Sequence, residues 1–452
     1  MELNEKQQLG FTRFTEGCNL FITGGGGNGK SHLLTEIIQH CIENDTKFSV
    51  TSSTGISATH IKGTTIHSFL KLGIGKNNIY DTYNKIKKTF PVYCKILKLE
   101  VLIIDEISMI DKYLFNKINR ILQLIKRNNL PFGGIQIILS GDFCQLKPVK
   151  NDLFCFESNN WKLLNLTTIH LTKSMRHIDD ADFHKILFNL RFGNFTNKIY
   201  DTLLSHHQKT KDLEFSDTDI KPTILYSNNV NVDRINKMEH NKLIKKGNKS
   251  NIYKISYNKW HYTVDKYLKD NNINNQIELC INDQIMITSN IDVDSGIANG
   301  TRGIITDVSS DKYITVKIKN GEEINIPYIT VPIKNEYSNK NNKDNKGIEL
   351  KYIPIKLAYS ITIHKSQGTT IDFLSIDLGP TIFEYGQFYT GLSRSRTLNS
   401  VIITNLCRKS CKCHEKVLKF YGIYTKKIIK KESKKIYKWI VLINKKETIL
   451  FL

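Results

Sequence analysis

The stretch that most constrains this chain is Gly24 to Ser31, GGGGNGKS, which follows the apolar run Asn19 to Thr23 and precedes a predicted helix over Ser31 to His40. It fits the pattern G-x-x-x-x-G-K-S in the context its mechanism requires, after a strand and before a helix. Gly25, Gly26, Gly27 and Gly29 lack a Cβ, so the backbone can turn left-handed and aim successive N–H groups at a triphosphate. Lys30 adds a cation for the outer phosphates, Ser31 a hydroxyl for Mg²⁺, and the helix its positive end.

Two further apolar runs reach the same place. Val101 to Glu106, VLIIDE, has no alternation and reads as a parallel strand covered on both faces, with two carboxylates at the end where ligands gather. Asp105 can hold the Mg²⁺ that Ser31 touches, and Glu106 can polarise the attacking water. The run Ile135 to Ser140 delivers Gly141-Asp-Phe-Cys-Gln145 to the same sheet edge. There Asp142 or Gln145 either reports on the γ phosphate or caps the next turn. Between these strands Leu114, Ile118, Ile121, Leu122 and Ile125 recur at helical spacing, and Pro131-Phe-Gly-Gly134 ends that helix.

At 452 residues the chain exceeds one core and predicts two to four domains. Its formal charge of +22, from 65 basic and 43 acidic residues, predicts a polyanionic partner, nucleic acid or an acidic membrane surface. Lys and Asn are abundant throughout, which an AT-rich genome also produces, so charge is supporting evidence only. No run of eighteen apolar residues occurs, and MELNEKQQLG has neither a signal-peptide core nor a transit pattern. An intracellular protein is expected, with nucleus, cytoplasm and viral replication site left open. Nine scattered cysteines predict reduced thiols rather than a disulfide framework. Cys407, Cys411, Cys413 and His414 cluster, but their spacing matches no zinc pattern.

The ordered set LNEKQ, GGGGNGKS, TSSTGISA, GTTIHSF, LIIDEISMI, PFGGIQIILSGDFCQL, KSMRH, ITIHKSQGTT and FYTGLSRSRT resembles the PIF-type (petite integration frequency) DNA helicases. These belong to superfamily 1 with the RecD-like enzymes. The similarity runs from about residue 3 to about residue 405, and the stretch between Asp111 and Gly134 resembles the segment that distinguishes the PIF branch from its RecD-like relatives.

The resemblance implies roles position by position. Gln7 contacts adenine. Gly24, Gly25, Gly26, Gly27, Asn28, Gly29, Lys30, Ser31 and His32 form the nucleotide cradle, and Ser31 and Asp105 hold Mg²⁺. Glu106 directs the water, Gln145 meets the γ phosphate, and Arg176 and Arg394 are arginine fingers. Thr54, Thr64, His67, His364, Lys365 and Ser366 track a DNA backbone with little preference for base sequence. Three positions depart from the family pattern: Asn28 for Thr, His177 for Gln, and Lys147 for Pro. None removes a metal, proton-transfer or charge-stabilising group.

The implied architecture is α/β, a P-loop NTPase with two RecA-like parallel-sheet motor domains. Residues 1–172 form the first motor, with a small wedge insertion at 71–98 that meets the duplex junction. Residues 173–406 form the second, with a β-barrel insertion at about 290–350. For that barrel, short strands are expected at Glu278 to Ser289, Gly300 to Val308, Tyr313 to Lys319 and Glu323 to Pro332. Residues 335–347 read as a polar loop, and Asn299-Gly300 with Arg302-Gly303 as a family turn or a simple hairpin. Residues 407–452 form a basic tail, where Lys426, Lys427, Lys430, Lys431, Lys434, Lys435 and Lys438 near Tyr424, Tyr437 and Trp439 suit extra nucleic acid or a solvated helix.

The expected activity is ATP-dependent, 5'-to-3' movement on single-stranded DNA with unwinding of duplex. ATP and Mg²⁺ are the cofactors, single-stranded and forked DNA the partners, and no membrane is involved. A monomer able to assemble on DNA is expected, serving replication, recombination, repair or telomere maintenance. The alternative is a RecD-like translocase or recombination motor without strong unwinding.

Overall fold

In this computed structural model the described residues are 2–423, apart from 55–56, 59–60, 62, 74–77, 149–152, 211–220, 261–263, 266, 269–272, 290, 293–296, 298–300, 319–320, 334–347 and 372. The chain divides into two compact units: Met1–Lys211 with Ile363–Asp372 and Ile376–Leu452, and Asp212–Thr362 with Phe373–Ser375.

The first unit is built on six strands: β1 (Leu20–Gly24), β2 (Phe48–Ser52), β3 (Thr64–Thr65), β4 (Val101–Asp105), β5 (Gln136–Gly141) and β6 (Thr167–Leu171). Every pairing is parallel and the order is β3-β2-β4-β5-β1-β6. Strands β1 and β4 are buried at all five positions, as their unbroken apolar runs require. Alternate side chains feed two cores. Leu20, Ile22 and Ile103 pack beneath Leu33, Leu34 and Ile37 of helix α2 (Lys30–Glu43). Phe21, Leu102 and Ile104 pack on the other face with Phe115, Ile118, Ile121, Leu122 and Ile125.

Helix α1 (Glu5–Thr15) precedes the sheet and starts in a capping box, in which Asn4 Oδ1 accepts from the Gln7 amide and Gln7 Oε1 accepts from the Asn4 amide. Two short helices, α3 (Ile79–Lys88) and α4 (Phe90–Leu97), lie in the stretch expected as an insertion, anchored by Ile86 and Ile96 in the core. The predicted amphipathic helix is α5 (Lys112–Lys126), which Arg127 ends with a left-handed φ of 51°. Leu114 flanks this core rather than entering it. Later segments of the first unit are α6 (Ala181–Arg191), the helix Gln387–Leu392 and the helix Glu415–Phe420.

The second unit holds a parallel strand pair, Thr223–Tyr226 with Ser360–Thr362, and a five-stranded antiparallel sheet of Gln284–Ile287, Arg302–Asp307, Tyr313–Ile318, Glu323–Pro327 and Ile355–Leu357. The strand expected over Glu278 to Ser289 is two strands, Gln276–Cys280 and Gln284–Ile287. Asn282 turns the chain at φ 73°, and Asp283 accepts from the Cys280 amide at 2.8 Å. Tyr328 likewise divides the run after Glu323. The polar loop at 335–347, the Asn299-Gly300 turn, and the tail's lysines, Tyr424, Tyr437 and Trp439 lie outside the described residues. Among those residues no helix is long and apolar enough to cross a membrane.

Candidate active site

The glycine loop leaves β1 and enters α2 through Gly29, the helix N-cap, at φ 80°, while Gly27 sits at φ 81°. Conformation is half the reason for glycine here, and crowding is the other half. A Cβ at Gly27 would lie 2.4 Å from the Arg176 Cβ, and one at Gly29 would lie 2.7 Å from Gln7 Nε2. Both contacts are closer than non-bonded atoms come, and the one at Gly27 meets a Cβ, which cannot swing aside.

Those neighbours include the predicted residues. The loop residues Gly26, Gly27, Asn28, Gly29, Lys30 and Ser31 line a cavity of about 310 Å³ together with Asp105, Glu106, Gln145, Met175, Arg176, Gly368, Thr370, Arg394 and Arg396. Lys30 Nζ donates to the Gly24 and Gly25 carbonyls at 2.8 and 3.0 Å. Burial holds its pKa below the usual lysine value, against the pull of Asp142, Glu106 and Asp105.

Asp105 ends β4, and Glu106 follows it in the left-handed region at φ 51°, an uncommon conformation for a non-glycine residue. Burial raises both carboxyl pKa values. For Glu106 the next cause is Asp105, opposed by Lys30 and by a hydrogen bond from Gln367. Gln367 Nε2 donates to Glu106 Oε2 at 2.8 Å.

The arginines are held by backbone. Arg394 is only 1% exposed: its Nε donates to the Thr390 carbonyl at 2.9 Å, Nη1 reaches the Ser366 and Thr369 carbonyls at 3.4 Å, and Nη2 the Ser393 hydroxyl at 2.9 Å. Arg176 Nη1 donates to the Ser393 carbonyl at 2.7 Å, and the Arg176 amide to the Gly27 carbonyl at 3.2 Å. Burial, then the neighbouring Arg394, lowers Arg176 to about 9. His177 ties the two arginine segments together, with Nε2 on the Ser395 carbonyl at 3.0 Å and Nδ1 on the Ser174 hydroxyl at 2.9 Å.

The two candidates in the Gly141 turn part company: one faces the cavity and the other is tied into the protein. Gln145 lines the cavity, and its Oε1 has no hydrogen-bond partner among the described residues. Asp142 is fully buried, accepts from the Cys144 amide at 3.0 Å, and forms a fork with Arg191 at 2.9 to 3.2 Å.

The remaining predicted residues do not line the cavity. Gln7 lies behind the loop, with Nε2 on the Gly29 carbonyl at 2.9 Å. Gly24 and Gly25 supply carbonyls to Lys30, and His32 lies in the first turn of α2. Thr54 bonds Ser57 Oγ at 2.8 Å, Thr64 is exposed in β3, and burial, then Lys117, lowers the pKa of half-buried His67. His364 faces Glu384 at 3.4 Å, Lys365 is half-buried beside it, and Ser366 is buried with its hydroxyl on the Ile363 carbonyl. A Cβ on Gly368 would lie 2.9 Å from Ser57 Oγ and 3.7 Å from Glu106 Oε1. The Thr54 turn and the 364–368 segment therefore meet beside the Glu106 carboxylate.

Sequence reasoning missed Gln367, Met175, Thr370, Arg396 and Tyr389. Tyr389 is buried, and its hydroxyl accepts from the Gly26 amide at 2.8 Å. Each lies inside or within two residues of a motif already quoted, which was the available signal.

The donor set fits a nucleotide with a hard divalent cation. Lys30, Arg176, Arg394 and Arg396 give positive charge, Ser31 and Asp105 can supply oxygen ligands, and Asn28 and Gln145 carry buried oxygens with no hydrogen-bond partner among the described residues. Among the described residues no group of three or more His, Cys, Asp or Glu side chains could hold a metal by itself. Within the Cys407 to His414 cluster, His414 caps the helix Glu415–Phe420, and the buried Cys411 thiol meets the Leu190 carbonyl.

A family model described as PIF1-like helicase matches residues 3–208. An uncharacterized protein of Invertebrate iridescent virus 6 is 33% identical, covering 93% of this chain and 94% of that protein. The ATP-dependent DNA helicase Pif1 of Bdellovibrio bacteriovorus is 31% identical, covering 93% and 92%. The chain spans 64% of the length of the Xenopus laevis PIF1 helicase, at 31% identity over 93% of this chain. Among solved structures, Pif1 helicase from Candida albicans superposes with a TM-score of 0.82 at 31% identity, covering 93% of this chain and 99% of that one. Bacteroides Pif1 bound to single-stranded DNA superposes with a TM-score of 0.69 at 27% identity, covering 96% and 98%.

Proposed function

The chain belongs to the PIF1-like helicase family, and from that premise we propose that it is an ATP-dependent DNA helicase moving 5'-to-3' on single-stranded DNA and opening the duplex ahead. The observation that carries this is one cavity gathering a phosphate loop, two buried carboxylates and the arginines of later segments.

Each side chain has a task that its position supports. Lys30 leaves the Gly24 and Gly25 carbonyls for the β and γ phosphates, and the α2 amides receive the same anion. Ser31 and Asp105 would hold Mg²⁺, which when bound neutralises charge on the phosphate oxygens. Glu106 accepts a proton from the attacking water, and its raised affinity for protons suits a base. Gln145 turns its amide to the γ phosphate. Arg176 and Arg394 stabilise the charge that spreads over the transferring phosphoryl group. Gln7 retains one Nε2 hydrogen for adenine.

Coupling to DNA runs through Gln367 and Gly368, which lie between Glu106 and the Thr54 turn. Movement of single-stranded DNA along Thr54, Thr64, His67, His364 and Lys365 then reaches the hydrolytic carboxylate directly, and Ser366 contributes backbone. Residues 1–172 and 173–406 act as the two motors, the insertion at 71–98 meets the fork, and the barrel lies within the second motor. The enzyme works on single-stranded and forked DNA as a monomer that can gather on the strand.

The test is steady-state ATP hydrolysis with and without single-stranded DNA, beside unwinding of duplexes carrying a 5' or a 3' tail. Stimulated hydrolysis and unwinding only from the 5' tail are expected, with Lys30→Ala inactive yet still binding single-stranded DNA. Stimulation without unwinding would make it a translocase; hydrolysis indifferent to DNA would overturn the motor.

A further inference from the structure

Behind the nucleotide cavity, the described chain ends in a segment folded into the first unit's core. Val417, Leu418 and Tyr421 are buried there, and Phe420 packs on Phe156 at 4.3 Å between ring centres and on Phe143 at 5.3 Å. This segment lies beyond the PIF-type motifs, and the reading of the site above gives it no task.

Tyr421 is 4% exposed, yet its hydroxyl is fully engaged. It shares a 2.7 Å hydrogen bond with Thr23 Oγ1 and accepts from the Phe143 amide at 3.3 Å. Thr23 is the residue before Gly24, whose carbonyl holds Lys30. Phe143 lies in the turn that carries Gln145, which closes with the Gln145 amide on the Asp142 carbonyl at 3.0 Å. Strands β1 and β5 are neighbours in which Thr23 pairs with Gly141, so one hydroxyl spans the carboxyl ends of both. The Tyr421 ring also packs under the Arg191 guanidinium, 5.1 Å from the ring centre, and Arg191 is the buried partner of Asp142.

We propose that Tyr421 is a positioning residue for phosphoryl transfer, its hydroxyl setting the distance between the phosphate loop and Gln145. This rests on the hydrolytic reading of the site. Removing the hydroxyl leaves the Phe143 amide buried without a partner, and the turn relaxes to satisfy it. Gln145 then shifts relative to Lys30. Displacements near 1 Å in such a site cost up to about 100-fold in rate. Ground-state binding of nucleotide, made by the loop amides and Lys30, stays as it was.

The experiment uses full-length protein and measures kcat and KM for ATP at saturating single-stranded DNA, with thermal melting in parallel. Tyr421→Phe is expected to lower kcat roughly 10- to 100-fold with KM for ATP little changed. Thr23→Val, which removes the other end of the same bond, is expected to move kcat in the same direction. The decisive comparison is Tyr421→Phe combined with Gln145→Ala: the double variant is expected to be no slower than Gln145→Ala alone. A Tyr421→Phe protein with a lower melting temperature but unchanged kcat would overturn the proposal, as would slowdowns that multiply in the double variant. A wild-type protein that hydrolyses no ATP would instead overturn the hydrolytic reading, and this inference with it.

Discussion

Gln367 and Glu106, 261 residues apart in the chain, are joined by a 2.8 Å hydrogen bond from the glutamine amide to the carboxylate. Gly368 beside it approaches Ser57, whose hydroxyl bonds Thr54. A contact of this kind links the turn proposed to face DNA to the carboxylate proposed to handle the water.

Gln367→Ala is therefore expected to separate DNA stimulation from basal hydrolysis. Stimulated turnover should fall about 10- to 100-fold, the worth of one hydrogen bond to a charged group, while affinity for single-stranded DNA holds. Titration of ATP hydrolysis with single-stranded DNA measures this. Equal losses of basal and stimulated rates would assign Gln367 to chemistry alone.

Arg394→Ala is expected to reduce kcat by about 10³ to 10⁵ while the affinity for ATP changes only modestly. Lysine at this position should rescue little, because the fork bonding Thr390, Ser366, Thr369 and Ser393 needs the planar guanidinium. Single-turnover hydrolysis with independent nucleotide binding decides. Lost binding with normal turnover would mark a structural arginine.

His177 carries a prediction about acid. Its Nε2 faces a carbonyl, which only accepts, so that nitrogen bears the hydrogen and Nδ1 accepts from Ser174. Burial, then Arg176 and His184, lowers its pKa to about 4, against 6.5 for an ordinary histidine. Below pH 6.5 the unfolded chain takes up a proton that the folded chain refuses, so stability is lost as pH falls from 6.5 towards 4. His177→Gln should remove roughly 2 to 3 kcal/mol of that pH dependence. Denaturant melts at pH 7 and pH 4.5 test it, and parallel slopes for both proteins would refute it.

Phe90 is 71% exposed at the start of α4, on an elbow stiffened by Pro91 and by the Thr89 hydroxyl on the Lys85 carbonyl at 3.1 Å. Exposed Lys87 and Lys88 precede it in the chain. An aromatic face among cations suits a base at the fork. Phe90→Ala should keep DNA-stimulated hydrolysis and lose much of its unwinding of 5'-tailed duplexes, whereas Phe90→Tyr keeps both. Unwinding at the wild-type rate by the alanine variant would rule out the contact.

The parts legible in the sequence were those written in adjacent residues. Unbroken apolar runs announced β1, β4 and β5, and the polar groups at their ends announced Lys30, Asp105, Glu106 and Gln145. Spacing gave the inner face of α5 at Ile118, Ile121, Leu122 and Ile125. What stayed hidden was pairing across distance. Arg191 lies 49 residues from Asp142, and Tyr421 lies 398 from Thr23. Such partners satisfy buried polar groups one at a time and leave no periodic trace. The split of the expected strand at Asn282 was hidden for a related reason: a single left-handed residue breaks a ladder without changing its hydrophobic pattern.

The carbonyl cage around Arg394 has a mechanical consequence. A guanidinium bonded to Ser366, Thr369, Thr390 and Ser393 has no rotamer to swing through without breaking several bonds together. Its charge therefore travels only when that backbone travels. The residues preceding Ser366 are the ones expected to grip a DNA strand, so in the proposed mechanism pulling on the strand and withdrawing the cation from the phosphate become one movement. Force applied to the track would register at the fuel site as a change in electric field, with no flexible side chain between them to absorb it.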